Sequence, residues 1–322
     1  MENVITYSPA YTLVPTFECF NRCAYCNFRV DPGQNDWMSI ATATEKLSAL
    51  QDQNTNHDVI ELLMLAGEVH PHSPKRAAWF QRIYDLCELA LQMGFLPHTN
   101  VGPLSPEEMA QMKQVNVSMG LMLEQLTPKL LSTVHANAPS KHPKVRVQQL
   151  ELAGKLQIPF TTGLLLGVGE SQDDWRDSLT EIDRIHAQYH HIQEVILQPY
   201  QPGQTQAEII PACQGETLLQ AVKIAREILS ADITIQIPPN LVRSQGALIA
   251  CIDSGARDLG GIGPIDEVNP DYHHRDRTYL QQLLQAHGWT LQKRLPIYPK
   301  YDSWLSEKLT SAVEKWRTHV RT

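Results

Sequence analysis

The chain has 322 residues, of which 42% are hydrophobic and 19% charged, with eight more acidic than basic residues at neutral pH. That length supports a core large enough to fold without disulfide staples, and the composition excludes a disordered chain. The acidic balance argues against broad nucleic-acid binding, which depends on basic residues set against phosphates. No apolar run approaches the ~18–20 residues a bilayer requires. The start is acidic at Glu2 and lacks a basic residue before Arg22, so a secretory signal is not expected and the cytoplasm is.

Short apolar runs of β type alternate with longer helical patterns. Residues 12–18 form the first expected strand, followed by a cysteine-bearing loop and a helical pattern over 42–52. Expected strands at 59–65, 95–100, 115–123, 158–166, 193–199 and 233–237 alternate with helices at about 75–93, 105–113, 144–157, 172–190 and 216–230. Trp79, Phe80, Ile83 and Leu86 share helical spacing and read as core, as do Leu150, Ala153 and Leu156. Ser105-Pro106-Glu107-Glu108 and Ser171-Gln172-Asp173-Asp174 place a hydroxyl before an acidic third helical position, the mark of a capped helix start. Beyond about residue 240 the pattern becomes a glycine-rich loop (Gly255, Gly260, Gly261, Gly263) and two helical tails near 274–287 and 302–318.

Strands alternating with helices imply a parallel sheet with right-handed crossovers. Five successive strand ends carry polar or glycine signals: the cysteines, Gly67-Glu68, Asn100, Glu124 and Gly167-Val168-Gly169-Glu170. Such signals spread around a ring favour a TIM-type (β/α) barrel, partial or nearly closed, over an open sheet with a single switch point. The expected layout is one domain over 1–322, a barrel at about 8–265 and a C-terminal helical cap at about 266–322.

Cys19, Cys23 and Cys26 form a C-x3-C-x2-C loop, whereas Cys87, Cys213 and Cys251 are scattered. Three thiolates so close together repel one another unless a cation or cluster holds them. Iron–sulfur clusters take cysteine thiolates, usually four per [4Fe–4S], so three would leave one iron open. A structural zinc site would need a fourth partner, which this loop does not offer. Cys87 and Cys251 lie in apolar helical patterns where a buried free thiol is the default, so one cluster is expected.

With Tyr25 just before its last cysteine, this loop resembles the signature of the radical S-adenosylmethionine (SAM) superfamily. The resemblance implies that Cys19, Cys23 and Cys26 hold a [4Fe–4S] cluster whose open iron takes the amino and carboxylate groups of SAM. One electron then releases a 5′-deoxyadenosyl radical. Gly67-Glu68 looks like the superfamily's motif for the SAM ammonium, and Gly163 to Glu170, with Gly167 and Gly169, resembles the element along the adenine. Glu124, in period-two register with Ser118, would offer a carboxylate to the ribose hydroxyls. Longer segments are similar to one family, the 7,8-didemethyl-8-hydroxy-5-deazariboflavin (FO) synthase subunit 1 of coenzyme F(420) biosynthesis. They include 23–29, Pro97-His98-Thr99-Asn100, 116–124, 158–163, 195–200, 235–240 and 260–264.

That resemblance implies a lyase that converts 5-amino-5-(4-hydroxybenzyl)-6-(D-ribitylimino)-5,6-dihydrouracil to FO, releasing ammonia, methionine and 5′-deoxyadenosine. It also implies FO synthase subunit 2 as functional partner and a ferredoxin- or flavodoxin-type reductant. Substrate contacts are expected at strand ends: His98, Asn100, Gln198, Tyr200 and Asn240, with Asn269 closing the mouth from above. His70 and His72 read as loop residues that could serve as acid–base groups, and His190-His191 and His273-His274 as solvated helix ends. The alternatives are the sister enzyme that joins tyrosine to ribitylaminouracil, a menaquinone-pathway relative, and an iron–sulfur or zinc scaffold without SAM chemistry.

Overall fold

The computed structural model describes residues 3–53, 59–206, 210–242, 244–273 and 275–320. Eight parallel strands close into a barrel. They are β1 (Val4–Leu13), β2 (Glu61–Leu65), β3 (Leu96–Asn100), β4 (Ser118–Gly120), β5 (Phe160–Leu166), β6 (Ile192–Pro199), β7 (Thr234–Gln236) and β8 (Asp258–Ile262). Each pairs with the next, and β1 closes the ring by pairing with both β2 and β8. The crossovers carry α1 (Ile40–Gln53), α2 (Arg76–Gln92), α3 (Pro106–Met112), α4 (Pro143–Lys155), α5 (Gln172–Tyr189), α6 (Gly215–Ile228) and α7 (Gln245–Asp253). The α3 and α5 starts are capping boxes on Ser105 and Ser171, each satisfying two otherwise orphaned backbone donors. Trp79, Phe80, Ile83 and Leu86 of α2 are buried against the sheet.

The first strand lies earlier than expected. Residues 4–13 form it, not 12–18, because its register shifts between Thr6 and Ser8. That irregularity accommodates Pro9, which lacks a ladder donor yet accepts from Ile60 N at 2.9 Å. The glycine-rich loop is also corrected: residues 258–262 are the strand that closes the barrel. A side chain at Gly261 would stand 3.0 Å from Ala10 Cβ, and one at Gly263 would overlap the Ala10 carbonyl, so glycine lets the last strand approach the first. The histidine pair at the end of α5 is split. His190 is exposed in a left-handed cap at φ 55°, whereas His191 is fully buried. His273 is exposed, and His274 lies outside the described residues.

The chain beyond β8 works at both ends of the barrel. Residues 264–272 lie across the mouth: Asp271 accepts from Asn27 Nδ2 at 3.1 Å and Tyr272 donates to Pro202 O at 2.8 Å. After α8 (Arg277–Ala286), β9 (Thr290–Lys293) pairs with the first half of β1, at the opposite end. There Leu295, Ile297, Tyr301 and α9 (Glu307–Val320) bury Ile60, Leu96 and Val117, which begin or precede three strands. This second cluster plugs the floor, leaving the mouth for chemistry. Among the described residues, no helix is long and apolar enough to cross a membrane.

Candidate functional site

The cysteine loop leaves β1 and folds back across the mouth. Cys19 N donates to Val30 O at 3.1 Å, Phe20 N to Glu68 O at 2.9 Å, and Ala24 N to Val134 O at 2.9 Å. Gly67 N donates to Thr16 O at 2.8 Å, while Trp79 Nε1 donates to Gly67 O at 3.1 Å. A side chain at Gly67 would stand 2.5 Å from the Glu18 carbonyl carbon, so only glycine lets β2 end against this loop. The three thiols and Glu68 thereby come to line one chamber of about 210 Å³.

Glu68 is held from two sides. Asn21 Nδ2 donates to its Oε2 at 3.0 Å, and Arg146 Nη2 lies 3.4 Å from its Oε1. Arg146 is only 2% exposed, and its Nε donates to Ser140 O at 2.8 Å. Glu124 stands at the same wall in a left-handed backbone conformation, φ 66°, ion-paired with Lys141. Burial disfavours its charge, yet Lys141 and Arg146 draw its carboxyl below the ordinary range. The Tyr25 hydroxyl meets His135 Nε2 at 3.0 Å, fastening the loop from behind.

Burial pushes the Cys23 thiol up to about 12 against the pull of Lys141, and burial and Glu68 raise Cys19. These two thiols are thus poorly disposed to ionise together without a cation beside them. The chamber wall carries neither a fourth thiol nor an imidazole. Among the described residues, no three His, Cys, Asp or Glu side chains converge as a group able to hold a metal ion. Three thiols without a fourth thiol or an imidazole fit a cluster held by three cysteines better than a closed zinc site.

A second cavity of about 200 Å³ occupies the barrel interior. Leu65, Asn100, Met122, Gln198, Val268 and Asn269 line both spaces, so the chambers share a wall. Side chains of one strand parity point inward: Glu61 and Leu63 from β2, His98 from β3, Thr161 from β5, Glu194 and Ile196 from β6, and Gln236 from β7.

The expected site residues divide accordingly. Cys19, Cys23, Cys26, Tyr25, Gly67, Glu68 and Glu124 line the first chamber; His98 and Asn240 line the second, and Asn100 and Gln198 line both. Tyr200 lines the first chamber instead of the second, its hydroxyl donating to Gln206 Oε1 at 2.6 Å. Ser118 is not at the mouth. It is fully buried toward the floor, donating to Pro296 O at 2.6 Å, with His98 Nδ1 2.7 Å from its Oγ. Gly163, Gly167 and Gly169 line neither chamber. A side chain at Gly163 would overlap the Ile196 carbonyl oxygen, and Gly167 and Gly169 take φ of 89° and 115°, so their glycines serve packing and a turn. His70 and His72 are exposed and line neither space.

Asn21, Gly102, Lys141 and Arg146 are among the chamber residues that were not foreseen. Asn21, between two of the cysteines, was the most accessible to sequence reasoning. Lys141 ends a 3-10 turn (Pro139–Lys141) and Arg146 lies on α4, and no periodicity reveals their approach to the mouth.

Residues 13–182 match the family model described as the radical SAM superfamily. The chain is 62% identical to the 7,8-didemethyl-8-hydroxy-5-deazariboflavin synthase of Trichormus variabilis, over 98% of this chain and 92% of that one. It is 57% identical to the protein of the same name from Trichodesmium erythraeum, over 98% of each chain. Among solved structures, the FeFe-hydrogenase maturase HydG from Carboxydothermus hydrogenoformans aligns with a TM-score of 0.72 at 14% identity, covering 99% of this chain and 77% of that one. Methylornithine synthase (PylB) aligns with a TM-score of 0.65 at 13% identity, covering 94% and 87%. At those identities the two structures speak for the fold.

Proposed function

Because this chain belongs to the radical SAM superfamily and, within it, to the FO synthase family, we propose roles for the two chambers in that enzyme's reaction. The reaction read for this chain is the radical conversion of the 5-amino-5-(4-hydroxybenzyl) adduct to FO, with loss of ammonia. The observation that carries the site reading is that three cysteines and Glu68 line one chamber, which shares a wall with a second, interior one.

Cys19, Cys23 and Cys26 would hold one [4Fe–4S] cluster with an open iron, beside SAM. When bound, this pair supplies a 5′-deoxyadenosyl radical. Glu68, kept in place by Asn21 and Arg146, accepts hydrogen bonds from the SAM ammonium. Glu124 and Lys141 present a fixed ion pair for the ribose hydroxyls and the carboxylate. Leu65, Met122, Leu165 and Val268 exclude water where a primary radical would otherwise be quenched. His98, Asn100, Gln198 and Asn240 bind the adduct from the second chamber, and Asn100 and Gln198 sit where the two ligands meet.

The barrel at about 8–265 and the segment from 266 onward act as one domain, since that segment covers both ends of the barrel. FO synthase subunit 2 supplies the adduct, a ferredoxin- or flavodoxin-type protein the electron, and the reaction runs in the cytoplasm. Anaerobic reconstitution tests the site. The protein should bind about four irons per chain, cleave SAM under reduction and form FO from the preformed adduct. Cys23→Ala should lose iron and 5′-deoxyadenosine together. A Cys23→Ala protein with full iron and full SAM cleavage would refute the ligand assignment.

A further inference from the structure

The barrel floor carries more negative charge than its partners balance. Arg294, which follows β9, reaches into the interior and meets Asp258 through Nε–Oδ2 at 2.6 Å and Nη2–Oδ1 at 2.8 Å. Its Nη2 also lies 2.5 Å from Glu194 Oε1, and Glu194 accepts further hydrogen bonds from Thr161 Oγ1 and the Tyr298 hydroxyl, each at 3.1 Å. Asp258 additionally accepts from Thr6 Oγ1 at 2.5 Å. One guanidinium therefore serves two carboxylates.

Glu61 is a third carboxylate, and it is left out of this network. It is 7% exposed and lines the interior cavity together with Glu194 and His98. No hydrogen bond or ion pair to its side chain is found among the described residues. The nearby imidazole does not compensate, because burial pushes His98 below its ordinary value and leaves it uncharged at neutral pH. Glu61 is also close enough to Glu194 to favour a proton there, after burial and against Arg294. A buried carboxylate without a partner is costly, and a fold retains one where something else completes it.

We propose that Glu61, with Glu194 beside it, is an amine-recognition site on the barrel floor that receives the primary amine of the substrate as its ammonium form. The inference rests on the FO synthase reading and adds the orientation of the substrate: its amine points down, away from the cluster chamber. The excess charge selects an ammonium over a polyol or a ureide, since neutral donors would satisfy hydrogen bonds yet leave the charge imbalance in place. The product FO lacks that amine, so the site also separates substrate from product. Among the described residues these carboxylates do not form a group able to hold a metal ion.

The test is Glu61→Gln in cluster-loaded protein, titrated anaerobically without reductant against the adduct and, separately, against FO. Adduct affinity should fall at least tenfold while FO affinity stays within twofold. The thermal midpoint of the ligand-free variant should be unchanged or higher, because an unpaired buried charge has been removed and no hydrogen bond lost. Adduct and FO affinities that both hold, or that fall together, would overturn the site. Wild-type protein that forms no FO overturns the function along with it; wild-type turnover beside an unselective Glu61→Gln protein overturns the site alone.

Discussion

Gly102→Ala perturbs the cofactor chamber without replacing any charged group. Gly102 has φ 88°, and a Cβ there would stand 2.5 Å from Glu68 Cγ and 2.8 Å from Glu68 Oε1. Two costs follow. An L-residue in the left-handed region loses about 1–2 kcal/mol of stability. The Glu68 carboxylate must also move away, and its contact with Arg146, already 3.4 Å, gives first. If Glu68 receives the SAM ammonium, that shift removes one charge-assisted hydrogen bond worth about 1.5–3 kcal/mol. Such a loss corresponds to SAM binding weaker by roughly 10- to 150-fold. Anaerobic equilibrium dialysis of the reconstituted protein measures it directly. Iron content should match the wild type, because the cysteine loop keeps its own backbone bonds to Val30 and Val134. A dissociation constant within twofold of wild type, in a variant with normal iron, would refute both the role of Glu68 and the reason for glycine at 102.

Gly163→Ala separates packing from cofactor contact. Its Cβ would overlap the Ile196 carbonyl and stand 2.9 Å from both the carbonyl carbon and Cβ of that residue, so β5 and β6 must part. Urea unfolding should show a loss of about 1–3 kcal/mol or more, with SAM affinity of the folded fraction unchanged; the reverse pattern would restore the cofactor role. His191 gives a pH signature. Burial lowers it to about 3 from an ordinary 6.5, so the unfolded chain takes up its proton first as pH falls. Its contribution is complete above pH 6.5 and is lost at about 1.4 kcal/mol per pH unit down to pH 3. His191→Phe keeps a ring beside Phe160 and Tyr189 and should flatten stability between pH 6.5 and 3, measured by denaturant midpoints; an unchanged acid slope counts against the assignment.

The ring of strand ends was legible in the sequence because polar and glycine residues interrupt apolar runs there. The cysteine triad, Gly67 and Glu68 did come together in one chamber. Of the strands that escaped, β8 and β1 did so for identifiable physical reasons. In β8, Gly260 and Gly261 have low strand propensity, and their value shows only when β1 stands against them. In β1, Pro9 argues against a strand until the register shift beside it is seen. Ser118 shows the limit of period two: the spacing gave its face correctly, inward, but not its height in the barrel. A three-residue ladder at β4 sets that height, and it places Ser118 opposite His98, one layer below the mouth.

That vertical coordinate also explains why the least motif-bearing part of the chain supplies the floor. A parallel barrel fills its interior in layers contributed by alternate strands. Here the interior is lined by the polar side chains of Glu61, His98, Thr161 and Glu194, so it cannot pack dry. Arg294 enters from beneath, pairs with both Asp258 and Glu194, and is itself held because β9 ladders onto Val4–Tyr7. The same segment offers the Pro296 carbonyl to Ser118 and to Gln193 Nε2. Residues 290–297 thus bond Asp258, Glu194, Ser118 and Gln193, whereas Glu61, which lines the cavity, has no hydrogen-bond or ion-pair partner among the described residues. A plug that only stabilised the barrel would have no reason to leave that charge open. The open charge is what turns a sealed floor into one end of a binding site.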